Sequence, residues 1–160
     1  DIKIADNPNE MRDFIRRKNK KNNASRIVAG YCWDSKKESR DNTEIYDIEI
    51  PKYNFNMSWN LINEQWAIAK DSVERAGCIY TCQGLDFDYV GVIIGQDLIY
   101  RNGKIEVDYT KRAKTDSALN GIRRIIHRNR LEGEKLAEEI IKNTYRVLLT
   151  RGKCRMYCIL

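Results

Sequence analysis

The residues with the clearest chemical potential stand in two short segments. Gln83-Gly84-Leu85-Asp86 places an amide, a flexible backbone position and a carboxylate together, directly before the apolar run Phe87 to Ile94. Thr150-Arg151-Gly152 places a guanidinium at the end of the apolar run Val147-Leu148-Leu149. A glycine in such a turn lets a ligand approach the backbone closely. Gln83 can orient a water or a phosphate oxygen, and Asp86 can accept hydrogen bonds from sugar hydroxyls. Arg151, held on rigid structure, can neutralise charge developing on a transferred phosphoryl group. Plainer readings fit the same residues: a capped surface loop for the turn, and a cation complementing a helix C-terminus for Arg151. Residue chemistry alone leaves both open.

The elements that must position these segments follow from patterning. Asp1 to Ala5 reads as a short edge strand. Asn7-Pro8-Asn9-Glu10 is a helix start, with Asn7 as cap and Pro8 in the first helical position. Met11, Phe14 and Ile15 form an apolar stripe, and the helix runs into the basic Arg16-Arg17-Lys18-Asn19-Lys20-Lys21. Ile27 to Trp33 reads as a buried central strand, and Glu44 to Ile50 as a half-exposed strand stopped by Pro51. A helix is expected from about Asn63 to Arg75, with Trp59 and Trp66 as core anchors. Cys78 to Thr81 and Tyr89 to Ile94 read as buried strands, which puts the turn 83–86 at the carboxyl end of the first, where open α/β sheets bind ligands. Asn102-Gly103 marks a two-residue hairpin turn between 98 and 107. Lys111 to Leu131 is basic and helical from about Ser117; Glu134 to Leu149 is a long helix burying Leu136, Ile140, Ile141, Val147 and Leu148. A closing strand spans Arg155 to Leu160. Apolar strands separated by helices predict an α/β fold with a mainly parallel sheet covered on both faces.

Composition bounds the function classes. A chain of 160 residues with 42% hydrophobic and 32% charged residues has the make-up of one globular domain, 1–160. No run approaches the ~20 apolar residues that cross a bilayer, so no membrane partner is expected. The chain begins at Asp1 without an initiator Met and ends in an apolar run, as a domain excised from a larger protein would. The net charge of +6 and a pI near 9.1 favour polyanionic partners. Five cysteines, mostly in apolar stretches, read as reduced thiols in a cytoplasmic protein. Cys78-x3-Cys82 and Cys154-x3-Cys158 resemble zinc spacings, but on strands residues four apart are about 13 Å from each other, so no metal is expected.

Order and wording of the motifs add a resemblance. Gln83-Gly84-Leu85-Asp86-Phe87-Asp88 before an apolar strand, and a helix ending Val147-Leu148-Leu149-Thr150-Arg151-Gly152, closely resemble motifs V and VI of superfamily 1 helicases. The blocks Ala29-Gly30-Tyr31-Cys32-Trp33, Trp59-Asn60, 83–95 and 143–152 are similar to those of a bacterial and archaeal family of uncharacterised ATPase-like proteins, related to the helicase-like part of Schlafen proteins. The resemblance covers nearly the whole chain. It implies a three-layer RecA-like domain, the second motor domain of a helicase-like, nucleic-acid-dependent ATPase. Gln83, Gly84 and Asp86 would border ATP, with Asp86 near the ribose, and Arg151 would be the catalytic arginine finger. An N-terminal RecA-like domain of the same parent chain would supply the phosphate-binding lysine and the Mg²⁺ ligand; no Gly-x4-Gly-Lys-Ser/Thr sequence is present here. The isolated chain would then bind no ATP·Mg²⁺ alone and be inactive. DNA or RNA contacts would fall to Thr81, Lys20, Lys21, Arg123 and Arg124. Two positions depart from the helicase pattern. Asp86 replaces the commoner glutamate, a reach shorter by one methylene, and Tyr80 stands where a histidine is usual. Two other functions compete: an ATP-driven switch or scaffold without unwinding, and a nucleic-acid-binding module with vestigial ATP residues.

Overall fold

The computed structural model describes residues 2–36, 38, 42, 44–59, 66–69 and 71–159, with backbone alone for 155–159. The elements are β1 (Ile2–Ile4), α1 (Pro8–Asn22), β2 (Ser25–Ala29), β3 (Ile48–Ile50), β4 (Phe55–Trp59), β5 (Arg75–Gly77), β6 (Phe87–Ile93), β7 (Leu98–Arg101), β8 (Lys104–Val107), α2 (Asn120–Arg128), α3 (Arg130–Leu149) and β9 (Gly152–Ile159). A seven-stranded sheet runs in the order β1-β9-β6-β2-β5-β4-β3. Every neighbouring pair is parallel except β3 with β4. The fold is therefore α/β with a mainly parallel sheet, an arrangement compatible with a RecA-like domain.

Period-two alternation on the central strand divides the core. Ile27 and Ala29 of β2 face one layer with Met11 and Ile15 of α1, Phe55 and Trp59. Val28 faces the other, with Val90 and Val92 of β6 and Ile141, Tyr145 and Leu148 of α3. The helix starts are as the residue types dictate. The Asn7 side chain accepts from the N–H of Asn9 at 2.8 Å with Pro8 following, and Asn23 closes α1 in the left-handed region. The β7–β8 hairpin turns on Asn102 (φ 53°) and Gly103 (φ 78°), a pair of positive dihedrals that this dipeptide adopts readily.

Several expected elements are corrected. Cys78 to Thr81 is a turn, not a strand. The strand before it is Arg75–Gly77, and β5 and β6 both run parallel to β2. The chain must therefore reverse between Gly77 and Phe87, and it does so by leaving the sheet in the turn that starts at Cys78, where Cys82 N–H donates to Cys78 O. The helix from Asn63 to Arg75 is not continuous: 60–65 and 70 lie outside the described residues, Ser72–Glu74 is a single 3₁₀ turn, and Arg75 already pairs with Ser58. The β3 strand is confined to Ile48–Ile50, because the buried Asp47 carboxylate instead takes the N–H groups of Lys36 at 2.9 Å and Trp59 at 3.1 Å. The β2 strand begins at Ser25 and carries the buried Arg26, whose guanidinium donates to Asn19 Oδ1, Ser25 O and Ala67 O. The helix α3 starts four residues early, at Arg130, capped by Asn129. Its fully buried face includes Ala137, Thr144 and Tyr145 beside Ile141 and Leu148, while Leu136, Ile140 and Val147 are only partly covered. Trp59 and Trp66 are core residues, 0% and 3% exposed.

Candidate functional site

The pairing of β6 with β9 brings the two chemically suggestive segments together. Phe87 sits opposite Gly152, and its N–H donates to Arg151 O at 2.8 Å. A register irregularity between Phe87 and Tyr89 leaves one residue of β6, Asp88, opposite two of β9, Lys153 and Cys154. There the Asp88 N–H bonds to Ala24 O at 2.7 Å, on the β2 side. Since Gln83–Asp86 lead into β6 and Arg151 leads into β9, the site lies at the amino edge of the sheet. The expected carboxyl-end position is thereby corrected: only Cys78–Tyr80 lie at that end, where Tyr80 meets Tyr31 edge-on with centroids 5.7 Å apart.

Arg151 is positioned by the α3 terminus. Its Nε donates to Val147 O at 3.2 Å, its Nη1 to Leu85 O at 3.4 Å, and its Nη2 lies 3.5 Å from Thr150 Oγ1. The ion pair with Asp86 is loose, 3.7 Å from Nη1 to Oδ1, with the two side chains 23% and 52% exposed. Such a pair contributes at most about 1 kcal/mol, so neither group is committed to the other. Gly84 adopts φ 75° and has open space where a Cβ would stand. Left-handed geometry accounts for this glycine, and the backbone beside it is bare. Gln83, Leu85 and Asp86 are exposed. The turn is held from within: Cys82 N–H donates to Cys78 O at 3.1 Å and Leu85 N–H to Cys82 O at 3.1 Å.

The other sequence-derived candidates divide. Lys20 and Lys21 are exposed on the last turn of α1. Asn22 Nδ2 donates to Asp88 Oδ2 at 2.6 Å and ties that helix end to the start of β6. These lysines therefore share the amino edge with Asp86 and Arg151. Arg123, half-buried, and Arg124, exposed, lie on α2. That helix packs on the first half of α3 through Leu119, Ile122 and Ala137, and the 20 residues of α3 span about 30 Å. The α2 arginines thus stand far from Arg151, towards the opposite end of the sheet. The Thr81 hydroxyl is engaged inside its own turn, accepting from Cys78 N–H at 2.8 Å and within 3.1 Å of Cys78 O.

The cysteine argument changes in form. Cys78 and Cys82 sit on one helical turn rather than on a strand, so they are closer than strand geometry predicts. Both are buried, and burial pushes the Cys82 thiol up to about 11 against the pull of Arg151. A neutral thiol is a poor metal ligand. Among the described residues no group of three or more His, Cys, Asp or Glu side chains could hold an ion. No helix of the described residues is long and apolar enough to cross a membrane.

A buried polar cluster escapes sequence reading. Tyr145 donates to Asp97 Oδ1 at 2.5 Å and accepts from Gly95 N–H at 3.0 Å. Arg112 bridges Asp97 Oδ2 at 2.9 Å and Asp116 Oδ2 at 2.7 Å. Burial alone would lower the Arg112 pKa, but the Asp116 and Asp97 carboxylates more than offset it and raise it. The cluster fixes the chain after β6 to the last quarter of α3, through Tyr145. Its only signal in the sequence is an acid, Asp97, just past a buried strand, which is equally the pattern of a surface loop.

Comparison with known proteins identifies one family. Residues 1–159 match the family model described as Schlafen group 3, DNA/RNA helicase domain. The uncharacterized protein YPL245W of Saccharomyces cerevisiae is 27% identical over 161 residues, covering 98% of this chain and 34% of that protein. The chain thus spans about a third of the length of the curated relative it matches. No solved structure matches it.

Proposed function

We propose that this chain, which belongs to the Schlafen group 3, DNA/RNA helicase domain family, acts as the second RecA-like motor domain of a nucleic-acid-dependent ATPase. The observation that supports this most is the meeting of Arg151 with Leu85 and Asp86 across 66 residues of chain, on an exposed polar edge. Arg151 keeps donors available because its ion pair is long and its other partners are uncharged oxygens. The open space over Gly84 and the exposed Gln83 amide fit a polyphosphate and sugar seated against the turn.

ATP, when bound with Mg²⁺ between this edge and another RecA-like domain of the parent protein, supplies the phosphoryl group to be transferred. Arg151 then neutralises negative charge that grows at that group, at little reorganisation cost because α3 and the β6–β9 pairing hold it in place. Asp86 accepts from sugar hydroxyls, directly or through water, and Gln83 orients a water or phosphate oxygen. The domain does not act alone, since Arg151 has no phosphate to meet without the partner half. Lys20 and Lys21 beside the site, and Arg123 and Arg124 on α2, are the cations offered to a nucleic-acid backbone.

The two roles separate kinetically in the full-length protein. Asp86→Ala should raise KM for ATP several-fold with kcat largely kept, and Arg151→Ala should lower kcat by about 10³ with nucleic-acid affinity retained. Full ATP turnover in Arg151→Ala would reduce the chain to a nucleic-acid-binding module.

A further inference from the structure

A second site stands at the opposite edge of the sheet. The strands β2 and β6 are parallel neighbours whose continuations leave in opposite directions, β2 towards β3, β4 and β5, and β6 towards β9. Connections that part in this way open a crevice beyond the carboxyl ends of the two strands, where α/β sheets take up ligands. A cleft of about 730 Å³ lies there, lined by Cys32 and Trp33 after β2, by Gly95 after β6, and by Tyr53, Tyr100 and Lys111 among others. The β3–β4 hairpin tip leans over it, held to α1 by Asn9 Nδ2 donating to Tyr53 O at 2.8 Å.

The lining has a specific chemistry. Trp33 and Tyr53 are half-buried, so their rings are fixed by packing, and Tyr100 is 65% exposed on the β7–β8 hairpin. Two ammonium groups, Lys52 and Lys111, stand at the mouth; Lys52 is held 4.9 Å above the Tyr53 ring. The one acid among the described lining residues, Glu49, faces Lys36 at 3.4 Å. The floor is rigid: Cys32 packs so closely on Gly95 that a Cβ there would come within 2.2 Å of its Sγ. The Gly95 N–H is also bound to Tyr145 in the Asp97–Arg112–Asp116 cluster. Flat rings and two cations lining one cleft suit a planar heterocycle that carries an anion.

We propose that this cleft binds a nucleotide unit, its base against Trp33, Tyr53 and Tyr100 and its phosphate on Lys52 and Lys111, independently of the Asp86–Arg151 edge. Both a free mononucleotide and the end of a single strand present this chemistry. The test is tryptophan emission of the full-length protein titrated with AMP and, separately, with a 5′-phosphorylated oligothymidylate of about eight nucleotides. At least one probe should quench Trp33, and Trp33→Phe should abolish the signal. Binding of AMP assigns the cleft to free nucleotide, and binding of the oligomer alone assigns it to a strand end. Lys52→Ala with Lys111→Ala should weaken binding about tenfold or more, and Tyr100→Ala about fivefold. All three side chains are exposed, so the variants should keep the wild-type Tm. Arg151→Ala should bind within about twofold of wild type, whether or not it turns over ATP. Absence of quenching by both probes, or wild-type affinity in the double lysine variant, would overturn the proposal.

Discussion

Arg151 and Asp86 meet at 3.7 Å in a partly exposed pair that is worth little, and the proposed function depends on that weakness. An arginine locked by a buried carboxylate would have no donors to offer a phosphate. Asp86→Ala should therefore change unfolding free energy by no more than about 1 kcal/mol in denaturant titrations, whatever it does to ATP affinity. Gly84→Ala places a side chain at φ 75° with no clash, so it should cost about 1 kcal/mol. The thiols separate in the same way. Cys154 is exposed, whereas Cys78 and Cys82 are buried and the Cys82 thiol is pushed up to about 11. At pH 8 iodoacetamide should modify Cys154 in the native protein and reach Cys78 and Cys82 only after denaturation, as peptide mapping would show. The residue types at 83–86 and 151 were legible as candidate chemistry. Their juxtaposition was implied by the helicase resemblance, but the residue pattern alone did not fix it, because it depends on which strand pairs with β6.

The helix α3 is the element that links the two edges. Tyr145 lies in the buried cluster after β6, and Arg151 follows the same helix at the other edge of the sheet. Removing Arg112 would leave Asp97 and Asp116, 0% and 1% exposed, without their shared cation. Arg112→Ala should accordingly destabilise the fold by about 3–5 kcal/mol in chemical denaturation, more than any surface charge change. At this scale the sequence was informative where local chemistry decides, as in the Asn7 cap, the Asn102-Gly103 hairpin and the body of α3. It misled where topology decides. Cys78-Ile79-Tyr80-Thr81 has strand-like residues, yet the return between two parallel strands coils it into a turn that Thr81 closes on Cys78.

The whole molecule is a three-layer α/β sheet with different chemistry at its two edges. The amino edge joins Gln83, Gly84, Asp86 and Arg151 with Lys20 and Lys21, and the α2 arginines stand at the far end. The class of fold could be read from apolar runs alternating with helices, but the edge on which the site lies could not: a turn between two strands belongs to either end until their register is known. If the α2 arginines meet a nucleic-acid backbone, Arg123→Ala with Arg124→Ala should reduce the slope of log affinity against log salt by about 1–2, for DNA and RNA alike. The most direct test of the account is the rate of ATP cleavage in a single turnover of the full-length protein, saturated with ATP and nucleic acid, with and without Arg151→Ala. A fall of about 10³ or more with ATP still bound is the predicted result; a rate within about twofold of wild type would contradict the assignment of this edge to phosphoryl transfer.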